Sequence, residues 1–153
     1  MTMRMLHANV NCSDLDRSLD FYTRVLGGSV LLTSGDDGSD LSGPMGGFDG
    51  ASNFRAALIY WHRQGHGPYI DLIEWTEPGD KVDRTAKDMG VARICWQVDD
   101  LDSIAADLEA RGVVFNAPAN VVQLGDHTIR GLFFPDPDGT LLEIVEMKAT
   151  PKT

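Results

Sequence analysis

Patterns of apolar and polar residues repeat along this chain, once in each half. His7–Asp16 and Arg93–Asp102 each begin with alternating polar and apolar residues, which is typical of a strand with one buried face. Each stretch runs into the tripeptide Asp-Leu-Asp, in which an aspartate can accept the unpaired backbone N–H groups of a helix start. The repeat predicts two copies of one structural module.

A helix is predicted after each alternating stretch, because apolar residues recur there at the spacing of one helical face. Candidate N-caps are Ser13 or Asp14 in the first half and Asp99 or Asp100 in the second. Each helix is expected to end at glycine, which adopts the left-handed conformation of a C-cap. The apolar positions and end glycines are Leu15, Leu19, Tyr22, Leu26 and Gly27–Gly28, and then Leu101, Ile104 or Ala105, Leu108 and Gly112.

Segments of β-rich sequence follow each predicted helix. Strands are expected at 29–33, 54–61 and 69–75, and then at 113–115, 127–134 and 140–146, with a tight turn at Pro135–Gly139. The fold class is therefore α+β, with two tandem βαβββ modules. We expect a single domain over 1–153, with module one at about 5–75, a linker at 76–90 and module two at about 91–147.

Segment 34–53 is rich in Gly and Asp and has no counterpart in the second half. A connection of this length is either functional, as a mobile lid, or an insertion without a role, and both interpretations stay open.

Charge and cysteine content narrow the function classes. The formal net charge is −10, which repels phosphate backbones and anionic lipid headgroups, so nucleic-acid and membrane partners are disfavoured. No apolar run approaches the roughly 20 residues that span a bilayer, and we see no signal peptide. Two distant cysteines without a CxxC pair suit a reducing compartment, so a cytoplasmic location is expected.

Three motifs in this order resemble the vicinal oxygen chelate superfamily, which includes glyoxalase I, bleomycin-resistance proteins and extradiol dioxygenases. They are Asn9–Tyr22, Val98–Asp102 and, most specifically, Phe133–Glu143, and the resemblance covers roughly Met5 to Met147. It implies curved mixed sheets that enclose a small-molecule cavity, a homodimer, and a divalent metal such as Zn, Ni, Mn, Fe or Co. The metal ligands of such proteins lie on the first and fourth strands of each module.

Four positions of this chain match those ligand positions: His7, Asp71, Arg93 and Glu143. His7 matches the family's metal-binding histidine, and Asp71 stands where the family usually has glutamate. Both Asp71 and Glu143 lie within apolar strands, where a carboxylate needs a partner. Arg93 stands where metal-dependent members often have a second histidine, and arginine has no lone pair for a metal.

Two accounts of this site stay open. In the first, slightly favoured, His7, Asp71 and Glu143 hold a divalent metal while Arg93 binds a substrate carboxylate, phosphate or enolate oxygen. In the second, Arg93 itself neutralises Asp71 and Glu143, and no metal binds. Glu143 is the candidate acid–base residue in the first account, with Asp71 as the other candidate.

Further residues are expected to line the cavity and bind substrate. Asn9 and Asn11 share a strand face with His7, Cys95 and Gln97 share one with Arg93, and Trp75 shares one with Asp71. Arg130 is a candidate second anion contact. Glu74 falls on the opposite face from Asp71, and Glu146 is expected to face solvent.

The predicted function is a glyoxalase-like lyase or isomerase acting on a small oxygenated metabolite with a carbonyl or carboxylate group. The alternative is a metal-free drug-sequestering or small-molecule-binding protein, like the bleomycin-resistance members. An extradiol dioxygenase is less favoured, because Arg93 removes one histidine of the two-His-one-carboxylate iron site.

Overall fold

The computed structural model describes residues 3–34, 53–62 and 67–149, which form two compact units, Met1–Lys81 and Val82–Thr153. The boundary between the units falls inside the predicted linker 76–90, where the chain is exposed and irregular. Apart from its two end residues, segment 34–53 and its predicted lid lie outside the described residues.

Each unit is a βαβββ module, as predicted. The first unit contains β1 (His7–Asn11), α1 (Leu15–Asp20), β2 (Ser29–Ser34), β3 (Phe54–Tyr60) and β4 (Tyr69–Trp75). The second contains β5 (Ile94–Val98), α2 (Leu101–Ala110), β6 (Asn120–Leu124), β7 (His127–Pro135) and β8 (Leu141–Ala149). The fold class is therefore confirmed as α+β.

The two sheets have the same topology. Their strand orders are β1-β4-β3-β2 and β5-β8-β7-β6. The first pair in each order is parallel and the other pairs are antiparallel, so both sheets are mixed. In each unit the first strand therefore lies beside the fourth, which brings the predicted site strands together.

Both helices begin and end as their sequences predict. The Asp14 carboxylate accepts a hydrogen bond from the backbone N–H of Arg17, and Asp100 accepts one from Ser103. Gly27 and Gly112, just beyond the helices, have φ of 74° and 92°, which a side chain would disfavour.

A π-helical segment, Phe21–Val25, extends α1. Its wider turn is closed by a hydrogen bond from the backbone N–H of Leu26 to the carbonyl oxygen of Phe21. The hydroxyl of Thr23 also donates to the carbonyl of Leu19 at 2.7 Å. The first helix thus ends in a π-helical segment before Gly27, whereas the second stays α-helical up to Ala110 before Gly112.

The predicted strand at 113–115 is wrong, because the second strand of the second module lies at Asn120–Leu124. Val113 is buried, and the Phe115 ring packs edge-to-face on Phe134 at 5.6 Å. These apolar side chains therefore anchor an irregular segment in the core. The apolar content that suggested a strand reflects this burial.

Candidate active site

The polar residues of β1 share one face of the first sheet. His7, Asn9 and Asn11 are exposed, whereas Val10 and Cys12 on the other face are buried. We call the face that carries His7 in the first unit, and Arg93 in the second, the front face. The opposite face, which carries the helix, is the back face.

Asp71 lies on the front face of β4, in register with Asn9 of β1. It is half-buried, and burial raises the pKa of its carboxyl group, while the nearby charge of His7 acts in the opposite direction. The structure thus brings together the two metal-ligand candidates of the first module.

Trp75 extends this face at the end of β4. Its indole N–H donates to the Asn11 side-chain oxygen at 3.0 Å, and its ring lies 5.2 Å from that of Phe54. Sequence reasoning did not select Phe54, although it stands opposite Trp75 in the register of β3 and β4. Two of the predicted substrate-binding residues, Asn11 and Trp75, are therefore in direct contact.

Glu74 lies on the back face, as its position in the strand predicts. Its carboxylate pairs with Arg55 at 3.2 Å, and Arg55 also pairs with Asp16 of α1 at 2.9 Å. Glu74 is thus engaged in holding the helix to the sheet.

Arg93 and Glu143 form an ion pair on the front face of the second sheet. Arg93 Nε donates to Glu143 Oε2 at 2.5 Å, and the Glu143 side chain is only 12% exposed while that of Arg93 is 41% exposed. The guanidinium carbon lies 5.0 Å from the centre of the Phe133 ring. The buried carboxylate has therefore found its cation within its own unit.

Cys95 and Gln97 are exposed on the same face of β5, and Cys95 is in register with Glu143. Although the residue as a whole is exposed, neighbouring atoms partly desolvate its thiol group, and this desolvation together with the charge of Glu143 raises the pKa of Cys95 to about 12. The thiol is consequently protonated at neutral pH, which suits a neutral contact and not a nucleophile.

Arg130, the candidate second anion contact, lies on the back face in register with Glu146. It pairs with Asp102 of α2 at 2.7 Å and with Glu146 at 3.7 Å. Strand alternation in β7 directs Phe133 and Gly131, not Arg130, to the side of Glu143. The missed Phe133 could have been found from this same alternation.

Glu146 was expected to face solvent, and this expectation is wrong. It is 5% exposed and accepts an ion pair from Lys148 at 2.9 Å in addition to that from Arg130. Two cations on adjacent strands allow the carboxylate to be buried.

The donor groups do not fit the metal centre that the resemblance implies. Within each unit, the described residues include no group of three or more His, Cys, Asp or Glu side chains that could hold a metal ion. At the position of the second histidine stands Arg93, which lacks a lone pair and already holds Glu143 Oε2. Of the four candidate positions, His7 and Asp71 are therefore the two that could still offer a metal their side chains without first displacing an arginine.

Comparison with known proteins places the chain in a family. The model of the Glyoxalase/Bleomycin resistance protein/Dioxygenase superfamily matches residues 4–144. Lactoylglutathione lyase of Haemophilus influenzae is 30% identical over 149 residues, which are 97% of this chain and 96% of that protein. Lactoylglutathione lyase of Schizosaccharomyces pombe is 28% identical over 97% of this chain, but the chain spans about half of its length, 49%.

A solved structure shows the same fold. The glyoxalase family protein from Bacillus cereus aligns with a TM-score of 0.77 at 20% identity, covering 96% of this chain and 95% of that one. The predicted enzyme class, a glyoxalase-type lyase, agrees with the names of the curated relatives. No helix among the described residues is long and apolar enough to cross a membrane.

Proposed function

This chain belongs to the Glyoxalase/Bleomycin resistance protein/Dioxygenase superfamily, and we propose that it is a glyoxalase-type lyase or isomerase of a small oxygenated metabolite. The observation that carries the proposal is the pairing of a nearly buried carboxylate, Glu143, with a partly exposed guanidinium, Arg93, on one strand face. The ion pairs that join a helix to its sheet, Arg55 with Asp16 and Arg130 with Asp102, lie on the back faces, whereas this pair faces away from the helix. A charged pair in such a position suits recognition of a polar substrate.

The proposed chemistry is proton transfer at a carbon next to a carbonyl group. Removal of that proton places negative charge on the carbonyl oxygen, and the Arg93 guanidinium can stabilise it through charge-assisted hydrogen bonds. Glu143 and Asp71 are the candidate acid–base residues, because each carboxylate lies within a largely apolar strand. Asn9, Asn11, Trp75, Cys95 and Gln97 are proposed as substrate contacts.

A divalent metal, which the resemblance implies, takes no part in these steps, because the donor groups do not fit such a centre. Two further expectations stay predictions under this proposal: assembly as a homodimer and a cytoplasmic location. Sedimentation analysis of the purified protein tests the first, and imaging of a tagged chain in its host tests the second.

The direct test is turnover by matched variants. The names of the relatives make lactoylglutathione the first substrate to assay, followed by small 2-oxo and 2-hydroxy carboxylates whose C–H exchange in D2O is visible by NMR. Glu143→Gln and Asp71→Asn are each expected to lower kcat by about 10²-fold or more. Glu109→Gln, an exposed carboxamide substitution on α2, serves as the control and should leave kcat unchanged.

Two outcomes would contradict the proposal. One is turnover that both active-site variants retain within about twofold, which would remove acid–base roles for both carboxylates. The other is tight binding of substrates without any turnover or proton exchange, which would indicate the sequestering class predicted as the alternative.

A further inference from the structure

Arg93 has one edge of its guanidinium bound and another edge open. Nε donates to Glu143, while the described residues of the second unit accept no hydrogen bond from Nη1 or Nη2. Glu143 on one side and the Phe133 ring at 5.0 Å restrict the plane of the group. The two Nη nitrogens therefore form a preoriented fork that matches two coplanar oxygens.

The same pair disfavours a metal ion at this place. A guanidinium and a carboxylate sum to zero charge, so Glu143 offers a divalent cation no net attraction while Arg93 is bound to it. A metal would have to displace Arg93 from a carboxylate that is 12% exposed and leave a like charge beside itself. A histidine at this position would supply a lone pair and no fixed charge.

We propose that Arg93 replaces the metal of this site and binds the carboxylate of a small 2-oxo or 2-hydroxy acid through Nη1 and Nη2. The net charge of −10 repels small anions from the protein as a whole, so binding of such an acid depends on a local cation. The inference rests on the proposed function for the type of substrate. Its tests measure binding only, so a failure of turnover would not decide them.

The first experiment measures metal affinity. Wild type, Arg93→His and the double variant Arg93→His/Glu143→Gln are stripped with EDTA, dialysed and titrated calorimetrically with Co²⁺, Ni²⁺ and Zn²⁺. Arg93→His is expected to bind metal at least tenfold more tightly than wild type, and the double variant should lose this gain. Wild type that binds one equivalent of metal, and loses it in Glu143→Gln, would overturn the proposal.

The second experiment measures anion affinity, with pyruvate as the probe and methyl pyruvate as its uncharged counterpart. In NMR titrations of the EDTA-treated protein, wild type should prefer pyruvate, and Arg93→Met should weaken it at least tenfold. Arg93→Lys should retain part of the affinity, because it keeps the charge without the fork. Arg111→Met removes the guanidinium of the residue that follows α2 and is the matched control.

Glu143→Gln provides a second binding test, which does not depend on whether Arg93→Met folds. The amide oxygen of glutamine can still accept the hydrogen bond from Arg93 Nε and so orient the guanidinium, while the negative charge beside it is removed. Pyruvate should therefore bind as well as in wild type or more tightly. Pyruvate affinity that is unchanged in Arg93→Met, lost in Glu143→Gln, or equalled by methyl pyruvate in wild type would refute the role of Arg93.

Discussion

The back faces of the two sheets are built alike, and their front faces differ. In each unit, an arginine on the third strand pairs with a glutamate on the fourth strand and with the aspartate at the second position of the helix. These triads are Arg55, Glu74 and Asp16, and Arg130, Glu146 and Asp102. Because register and helix position also agree, the triad is part of the repeated framework that fixes each helix on its sheet.

The front faces place different chemistry at equivalent positions. The first unit has His7 beside Asp71, and the second has Arg93 bound to Glu143. Asn9 and Cys95 occupy matching places, each in register with the carboxylate of the fourth strand. A duplicated module can therefore keep one face for stability while the other face diverges toward separate roles in a site.

The largest expected effect comes from the shared framework. Leu72 and Ile144 occupy equivalent core positions, one residue beyond Asp71 and Glu143, and both are buried, so Leu72→Ala and Ile144→Ala should each cost about 2–5 kcal/mol of unfolding free energy. Urea denaturation followed by fluorescence and circular dichroism measures this cost. A single transition lowered by both variants supports one cooperative domain, and a variant that shifts only part of a two-step curve contradicts it.

The two triads should differ in their tolerance of losing the arginine. Arg55→Met leaves the Glu74 carboxylate, 26% exposed, without that cation and should cost about 1–2 kcal/mol. Arg130→Met should cost less, because Lys148 still pairs with Glu146 at 2.9 Å. Urea midpoints of both variants test the order, and a double variant with Lys148→Met should remove the advantage of the second unit. The reverse order of the single variants would show that the triads are not equivalent.

Much of this framework could be predicted from the sequence, because local rules determine it. Helix caps, the terminal glycines and the alternation of His7, Asn9 and Asn11 follow from propensity and strand period. The placement of Glu74 behind Asp71 followed from the same period. The sequence was sufficient to predict these features, because each depends on residues that are close together in the chain.

The errors arose where a charged residue has several possible partners. Arg130 was named as a candidate anion contact, and Glu146 was expected to face solvent, because neither strand alone fixes the register between β7 and β8. Only that register reveals that the two residues pair with each other. The misplaced strand at 113–115 has a similar cause, since burial of Val113 and strand pairing favour the same apolar residues.

Carboxylates of the front face and of the back face should change the free energy of unfolding with opposite dependence on pH. Burial raises the folded-state pKa of Asp71, so this group favours the folded state at low pH and loses that contribution as pH rises through the raised pKa. Asp71→Asn should therefore stabilise the protein at pH 7, and the gain should shrink toward zero as pH falls below about 4.

Asp102 and Glu146 have lowered pKa values, caused mainly by Arg130 and by Lys148 respectively. Their contribution is complete above their unfolded pKa values, near 4, and disappears as pH falls through the lowered folded values. Asp102→Asn should accordingly destabilise the protein at pH 7 and lose its effect in acid. Thermal unfolding between about pH 3 and 7 compares both variants, and parallel pH profiles would contradict the assigned signs.

The smallest expected effect concerns one methyl group beside Glu143. Gly131 of the second unit matches Ala56 of the first, since they oppose Val145 and Ile73 in their respective registers. A Cβ atom at Gly131 would lie 3.2 Å from Val145 Cγ1 and 3.4 Å from Glu143 Oε1. Gly131→Ala should change stability by less than about 1 kcal/mol, because lower entropy of the unfolded chain offsets slight crowding.

Its effect on the site should nevertheless be measurable. Crowding of Oε1 shifts the carboxylate that orients Arg93, so pyruvate affinity should fall by a few fold while the fold is retained. Ala56→Gly in the first unit is the matched control and should leave pyruvate affinity unchanged. If both variants leave the affinity at its wild-type value, Glu143 does not position Arg93. If both variants lower the affinity equally, the cause is a general loss of sheet rigidity. That result would contradict the claim that only the second front face orients the group that binds pyruvate.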